Sequence, residues 1–182
     1  IAYVTKNTEG DVLDTKAFSS ENYGNETVYI KGIKFTISAL QAQIPTVYLN
    51  MDESKGTISD MHNSADHSKN CYGEVKIDVP QDIADKNGWQ TEYNSSDVEL
   101  RGRGNSSWLQ GIREGKQRPY QFKLSKKLDI MNMGKAKSWT LLRAYNKYGY
   151  LNNKICYNFA EDIGIKYNSK AEFVNVYLNG KY

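Results

Sequence analysis

Two arginines, two glycines and a lysine carry the most specific chemistry in this chain. Arg101-Gly102-Arg103-Gly104-Asn105-Ser106-Ser107-Trp108 is a basic stretch with two glycines, and Lys123 follows in Pro119-Tyr120-Gln121-Phe122-Lys123-Leu124. Glycines at 102 and 104 permit positive φ and let a backbone approach another group closely. Successive backbone N–H groups in such a turn form an anion-binding concavity. Arg101 and Arg103 are two residues apart, so an extended backbone puts them on one face. Lys123 lies inside the following strand, where its side chain has a fixed direction. Such a turn, with a strand lysine beside it, suits a polyphosphate. A solvated hairpin with basic residues for solubility is the competing explanation, because short glycine patterns recur by chance.

The charge distribution favours the anion. Residues 101–154 carry 13 Lys or Arg against two acids, Glu114 and Asp129, a local charge of +11. The whole chain is only +3, so the remainder is −8. A basic block on an otherwise acidic chain points to a nucleotide, a nucleic acid or an acidic polymer. With 39% hydrophobic and 25% charged residues the composition is that of a globular protein. No run of roughly 18 apolar residues occurs, so no membrane span is expected. Ile1 is not a start methionine and no apolar leader follows it, so the expectation is a removed signal or a start inside a longer chain. Cys71 and Cys156 are too few for a zinc site or a disulfide framework. They are read as one bridge or as free thiols, with Cys156 buried on a helix.

The elements that position these residues follow from periodicity. Residues 1–27 read as a polar lead-in, and Val28–Ile37 as a strand or hairpin. Ser38–Gln43 is a connector, Ile44–Leu49 a strand, and Asp52–Lys69 a loop carrying His62 and His67. With Asp60 and Asp66 those histidines resemble a metal set, but a solvated loop is the preferred reading and no metal ligand is assigned. Tyr72–Val79 alternates, with Val75, Ile77 and Val79 on one face, and Gln81–Ser96 is a connection with an Asn87-Gly88 turn. Val98–Leu124 reads as strand, basic turn, strand. Ser125–Gly134 is turn-rich, and Ser138–Tyr145, apolar on both faces, is expected as a central buried strand. Tyr150–Ile163 is the main helix. Leu151, Ile155, Phe159 and Ile163 form its apolar stripe, Lys154 lies off it, Asn146 or Asn152 caps it, and Gly164 ends it. Ala171–Leu178 is the last strand, and Asn179-Gly180 is a strong hairpin turn. A turn without its return strand leaves an open edge, so the expectation is the front part of a longer domain.

Several of these stretches together resemble the spore coat protein H (CotH) kinase family. They are Arg101–Trp108, Arg118–Leu124, Met133–Leu142, Leu151-Asn152-Asn153-Lys154 and Phe173–Tyr182, with Ile44–Leu49 similar to the family's opening strand. The resemblance covers residues 44–182. It implies an atypical protein kinase, secreted or surface-associated in a bacterium, that moves the γ-phosphoryl of ATP onto Ser or Thr of secreted proteins. Spore coats and cellulosome-type assemblies are the settings it suggests. By this resemblance Arg101, Arg103, Gly104, Asn105 and Ser106 cover the phosphates and Lys123 is the strand lysine on the α- and β-phosphates. Lys154 matches the helix motif, and Glu161 is a candidate partner for Lys123. The family's usual arginine in the helix motif is replaced here by Asn152 or Asn153. The acceptor-activating aspartate and the Mg²⁺ or Mn²⁺ ligands are expected beyond residue 182, so no catalytic residue is assigned here.

The expected fold is α+β, a mostly antiparallel sheet with one main helix, resembling the N-lobe of a kinase. Residues 1–43 are expected as a lead-in or the tail of an upstream module, and 44–182 as the N-terminal part of the kinase domain. The alternative function is a non-catalytic extracellular scaffolding module with the same fold. Nucleic acid is the least favoured partner. Trp108, Tyr120 and Trp139 read as core aromatics in strands rather than as a stacking platform.

Overall fold

The computed structural model describes the backbone of residues 2–6, 12–17, 25–30, 33–38, 44–114, 117–143 and 151–182, with side chains for 44–111, 117–143 and 151–182. The chain divides into two units, Ile1–Gln43 and Ile44–Tyr182. In the first, strand β1 (Ala2–Lys6) pairs antiparallel with β2 (Val12–Ala17), and β3 (Asn25–Ile30) with β4 (Ile33–Ser38). The second pair is the hairpin expected over Val28–Ile37. The first pair lies within residues 1–27, expected as an extended lead-in or the tail of an upstream module.

The second unit is α+β, built on a mixed sheet of six strands. These are β5 (Thr46–Met51), β6 (Asn70–Asp78), β7 (Glu92–Gly102), β8 (Tyr120–Asp129), β9 (Lys135–Leu141) and β10 (Asn175–Leu178), ordered β10-β5-β6-β7-β8-β9. The pairs from β5 to β9 are antiparallel, and β10 runs parallel to β5. One face carries the core: Val47, Leu49, Val75, Ile77, Leu100, Phe122 and Leu124 are all buried. In β7 alternation breaks, with Tyr93 and Val98 both buried although five residues apart. Val75 pairs with Ser95 and Gly73 with Val98, so three steps on β7 oppose two on β6. This bulge shifts the phase by one residue and keeps both halves of a long strand facing the core.

Three short helices occupy stretches expected as loops or turns. Helix α1 (Ile58–Asn63) lies inside Asp52–Lys69. Thr57 caps it by accepting from the Asp60 N–H at 2.9 Å, and Met61 is buried. Helix α2 (Gln81–Asn87) starts after Pro80 and ends at Gly88, which is left-handed at φ 65°. The Asn87-Gly88 signal was therefore a helix end. Helix α3 (Ser106–Glu114) interrupts the expected hairpin between β7 and β8. Trp108 and Gly111, three apart, are buried while Leu109 and Gln110 are exposed, which is helical rather than strand spacing. Strand β8 also runs on through Lys126 and Lys127 to Asp129, through half of the piece read as turn-rich.

Helix α4 (Asn152–Asp162) is the expected main helix, but its apolar stripe is not buried. Among the described residues Leu151, Ile155, Phe159 and Ile163 stay 56–61% exposed, and the half-buried face is Lys154, Tyr157 and Ala160. Polar anchors turn it this way: Lys154 Nζ donates to Ala171 O at 2.6 Å, and Asn168 Nδ2 donates to Tyr157 O at 2.5 Å. Neither expected asparagine caps it. Leu151 holds the N-cap position without a side-chain bond, and Asn146 lies outside the described residues. Its other end is as expected: Gly164 at φ 74° donates to Glu161 O and Ile165 to Ala160 O, the paired bonds of a Schellman motif.

Strand β9 is a sheet edge, not the expected central strand, and pairs only with β8. Trp139 and Leu141 face inward while Ser138 and Thr140 are exposed. Both cysteines are free thiols, and Cys71 is the buried one while Cys156 is exposed. Desolvation pushes the Cys71 thiol up to about 11, with the Glu53 and Asp60 carboxylates adding to the shift. The Asn179-Gly180 turn forms, with φ 45° and 75° and two backbone bonds joining Leu178 and Lys181. Asn179 also ties the parallel pair together. Its Oδ1 accepts from Met51 N at 2.6 Å and its Nδ2 donates to Met51 O at 3.1 Å.

Candidate functional site

Trp108 is the hub of the region where the glycine-bearing stretch meets the core. Its indole is fully buried, and Nε1–H donates to Ser64 O at 3.1 Å, tying α3 to the end of α1. His62, His67 and Tyr120 contact the ring edge-on at 6.1, 5.2 and 6.1 Å, and the Arg118 guanidinium lies 5.4 Å from its centre. Gly102 supplies the space, since a Cβ there would lie 2.5 Å from the indole Cη2. Gly104, at φ 83°, then turns the chain into α3.

The two histidines are parts of this hub rather than of a solvated loop. The Nε2 of His62 lies 2.8 Å from the Tyr120 hydroxyl, and His62 O accepts from Arg118 Nη1 at 2.7 Å. Burial, and secondarily the nearby Arg118 charge, pulls the His62 imidazole down to about 4. Burial pushes the Tyr120 phenol up to about 12. Both groups are therefore neutral near pH 7. His67 Nε2–H donates to Gly104 O at 2.6 Å. No group of three metal-ligating side chains occurs among the described residues.

An open cleft of about 1790 Å³ lies on the core side of the sheet, beneath α4. Phe122, Trp139 and Leu141 form part of its floor, and Lys154, Tyr157 and Glu172 part of its wall. Among the described residues six cationic side chains line it (Arg103, Arg118, Arg143, Lys154, Lys170 and Lys181) against two carboxylates, Glu53 and Glu172. That excess favours an anion with an apolar portion. Among the described residues the buried Nε1–H of Trp139 has no acceptor, which leaves a donor for a ligand oxygen or nitrogen.

The candidate residues divide between two faces. Arg103 lines the cleft, whereas Arg101 stays on the exposed face of β7 and donates to Gln121 Oε1 at 2.8 and 3.2 Å. They do not share a face because β7 ends at Gly102 and strand alternation ends with it. Lys123 is exposed between the buried Phe122 and Leu124, so it points away from the cleft, beside Glu99 across the strand pair. Asn105 and Ser106 are exposed at the start of α3. Lys154 forms a half-buried ion pair with Glu172. Glu161 pairs with Lys170 at 3.1 Å, not with Lys123. The sequence reading missed Arg118, Trp139, Glu172 and both histidines as site neighbours. The Thr57 cap, with Ile58 and His62 four apart, was the one local signal for the helix that carries His62.

Neither a search of curated proteins nor one of solved structures finds a match. Residues 100–182 do match a family model, described as CotH kinase protein. The matched range begins at the end of β7 and contains Gly102, the α3 hub, β8, β9, α4 and β10. It leaves out β5, the stretch expected to be the family's opening strand. Over its C-terminal part, residues 100–182, this chain is similar to the CotH kinase protein family.

Proposed function

We propose that this segment is the nucleotide-binding portion of a CotH-like atypical protein kinase, an N-lobe-like unit that holds ATP for γ-phosphoryl transfer to Ser or Thr of secreted or surface proteins. The observation that carries the reading is the cleft, cationic at its rim and aromatic on its floor, in a segment that matches the family. Phosphoryl transfer asks the protein mainly for positioning and for cations around the phosphates. Arg103 and Lys154 are placed for the phosphates, and Trp139 offers its ring face and its unpaired N–H to the base or sugar. Mg²⁺ or Mn²⁺ would neutralise phosphate charge. The described residues hold no group of three His, Cys, Asp or Glu side chains to ligate it.

The test is equilibrium binding of a fluorescent ATP analogue to the whole chain, with Mg²⁺ or Mn²⁺, alongside transfer from labelled ATP. Arg103→Ala and Lys154→Ala should each weaken binding about tenfold, the size of a lost charge-assisted bond. If Lys123→Ala removes binding and the cleft variants do not, the ligand lies on the outer face with Arg101 and the cleft assignment is wrong. Transfer is read in the gene-length protein, because the acceptor-activating aspartate is expected beyond residue 182; binding without transfer there would favour the non-catalytic module.

A further inference from the structure

We infer that His67, upstream of the family match, is a positioning residue for the Gly102–Gly104 turn and through it for Arg103. This rests on the nucleotide reading for its functional meaning and on geometry for its mechanism.

His67 carries two local costs. Its backbone is left-handed at φ 59°, a conformation that a residue with a Cβ adopts rarely. Its ring is also polarised in one sense only. Gly104 O can only accept, so Nε2 must hold the proton, and Nδ1 is then a buried acceptor with no donor. Such costs persist only where the surroundings over-determine the arrangement, and they cluster where geometry matters to function.

The gain is the placement of one peptide. The 2.6 Å bond from Nε2–H holds the Gly104 carbonyl, and the ring packs edge-on against Trp108 at 5.2 Å. On the other side of Arg103, Gly102 is pressed beneath the Trp108 indole. Between them the Arg103 N–H donates to Pro119 O at 3.2 Å. The backbone around Arg103 is thus held at three successive residues, and its side chain enters the cleft from a fixed base. Remove the His67 bond and Gly104, which has no side chain to limit φ, is the residue free to move.

The experiment uses the whole chain with His67→Ala and His67→Gln, the latter carrying an amide N–H where Nε2–H was. Two readouts are taken: affinity for the fluorescent ATP analogue, and amide hydrogen exchange at Arg103 and Gly104. His67→Ala should weaken binding about fivefold to tenfold, the size of one hydrogen bond to a positioned group. It should also speed exchange at Arg103, and His67→Gln should restore both. The loss should be non-additive with Arg103→Ala and additive with Lys154→Ala. Equal additivity with both, or no recovery in His67→Gln, would overturn the positioning role. If the unaltered chain binds no nucleotide, the ATP reading fails, and exchange at Arg103 and Gly104 still decides whether His67 sets the turn.

Discussion

Gly102 and Trp108 occupy one space between them: the indole Cη2 lies 2.5 Å from where a Cβ on residue 102 would stand. The contact is backbone against a fully buried ring, so neither side has a flexible end to give way. Gly102→Ala should therefore destabilise by about 1–3 kcal/mol through overpacking. Trp108→Ala should cost about 3–5 kcal/mol through the cavity it leaves. Urea unfolding midpoints measure both. A stabilising Gly102→Ala, as expected where a glycine merely loosens a strand, would mean that the ring does not sit there.

The same hub gives a pH dependence. His62 has an ordinary value of 6.5 and is held at about 4 in the folded protein. Between those values the unfolded chain binds a proton that the native one does not, so stability rises with pH through that window. The His62 contribution is complete above 6.5 and gone below about 4. Asp52 and Asp66, both held to about 2 by hydrogen bonds from Ser54 and Ser64 respectively, act at lower pH and do not blur it. Replacing His62 by Gln should flatten the urea midpoint between pH 4 and 6.5. An unchanged slope would place the titrating group elsewhere.

Much of this sheet was legible because its strands alternate on their own. Val75, Ile77 and Val79 declare β6, and Asn179-Gly180 declares the final turn, without help from any distant residue. Order in the sheet is a different matter. Ser138–Tyr145 carries apolar residues on both faces, as a central strand would, and the pairing of β10 with β5 at the opposite end leaves β9 at the edge. Helix α3 was hidden because Gly102, Gly104 and Asn105 signal a turn, and nothing local says that the turn is three residues long rather than sixteen. The hub was least legible. The bond from His67 to Gly104 spans 37 positions and leaves no spacing to read. The two faces of the basic stretch were misjudged for a local reason, since a strand ending at Gly102 does not carry its alternation to Arg103.

Phe159 and Phe122 make a direct comparison of two apolar side chains. Phe122 is 2% exposed in the core, whereas Phe159 is 61% exposed on the outward stripe of α4. Phe122→Ala should cost about 3–5 kcal/mol. Phe159→Ser, away from any buried contact, should stay within about 0.5 kcal/mol. Thermal unfolding of the two variants checks this. A large loss in Phe159→Ser would show that the stripe is covered in solution.

Lys154 and Glu172 hold the wall of the cleft, and here charge and stability pull in different directions. Both side chains are about a quarter exposed, so the pair is partly screened, and Lys154 keeps a second acceptor in Ala171 O. Glu172→Gln should cost no more than about 1 kcal/mol of stability. Its effect on an anionic ligand should be the larger one. Among the described residues Glu172 is one of two carboxylates lining the cleft, and it pairs with the lysine proposed for phosphate. Removing its charge should tighten binding of the ATP analogue by about threefold to tenfold, because a like charge near the ligand is lost and Lys154 is released from its partner. The gain should shrink as salt rises, and it should be smaller in the Lys154→Ala background, where only the loss of the like charge remains. Weaker binding in Glu172→Gln would mean that the carboxylate positions Lys154 for the phosphates instead of competing with them, and the pair would then act as a unit.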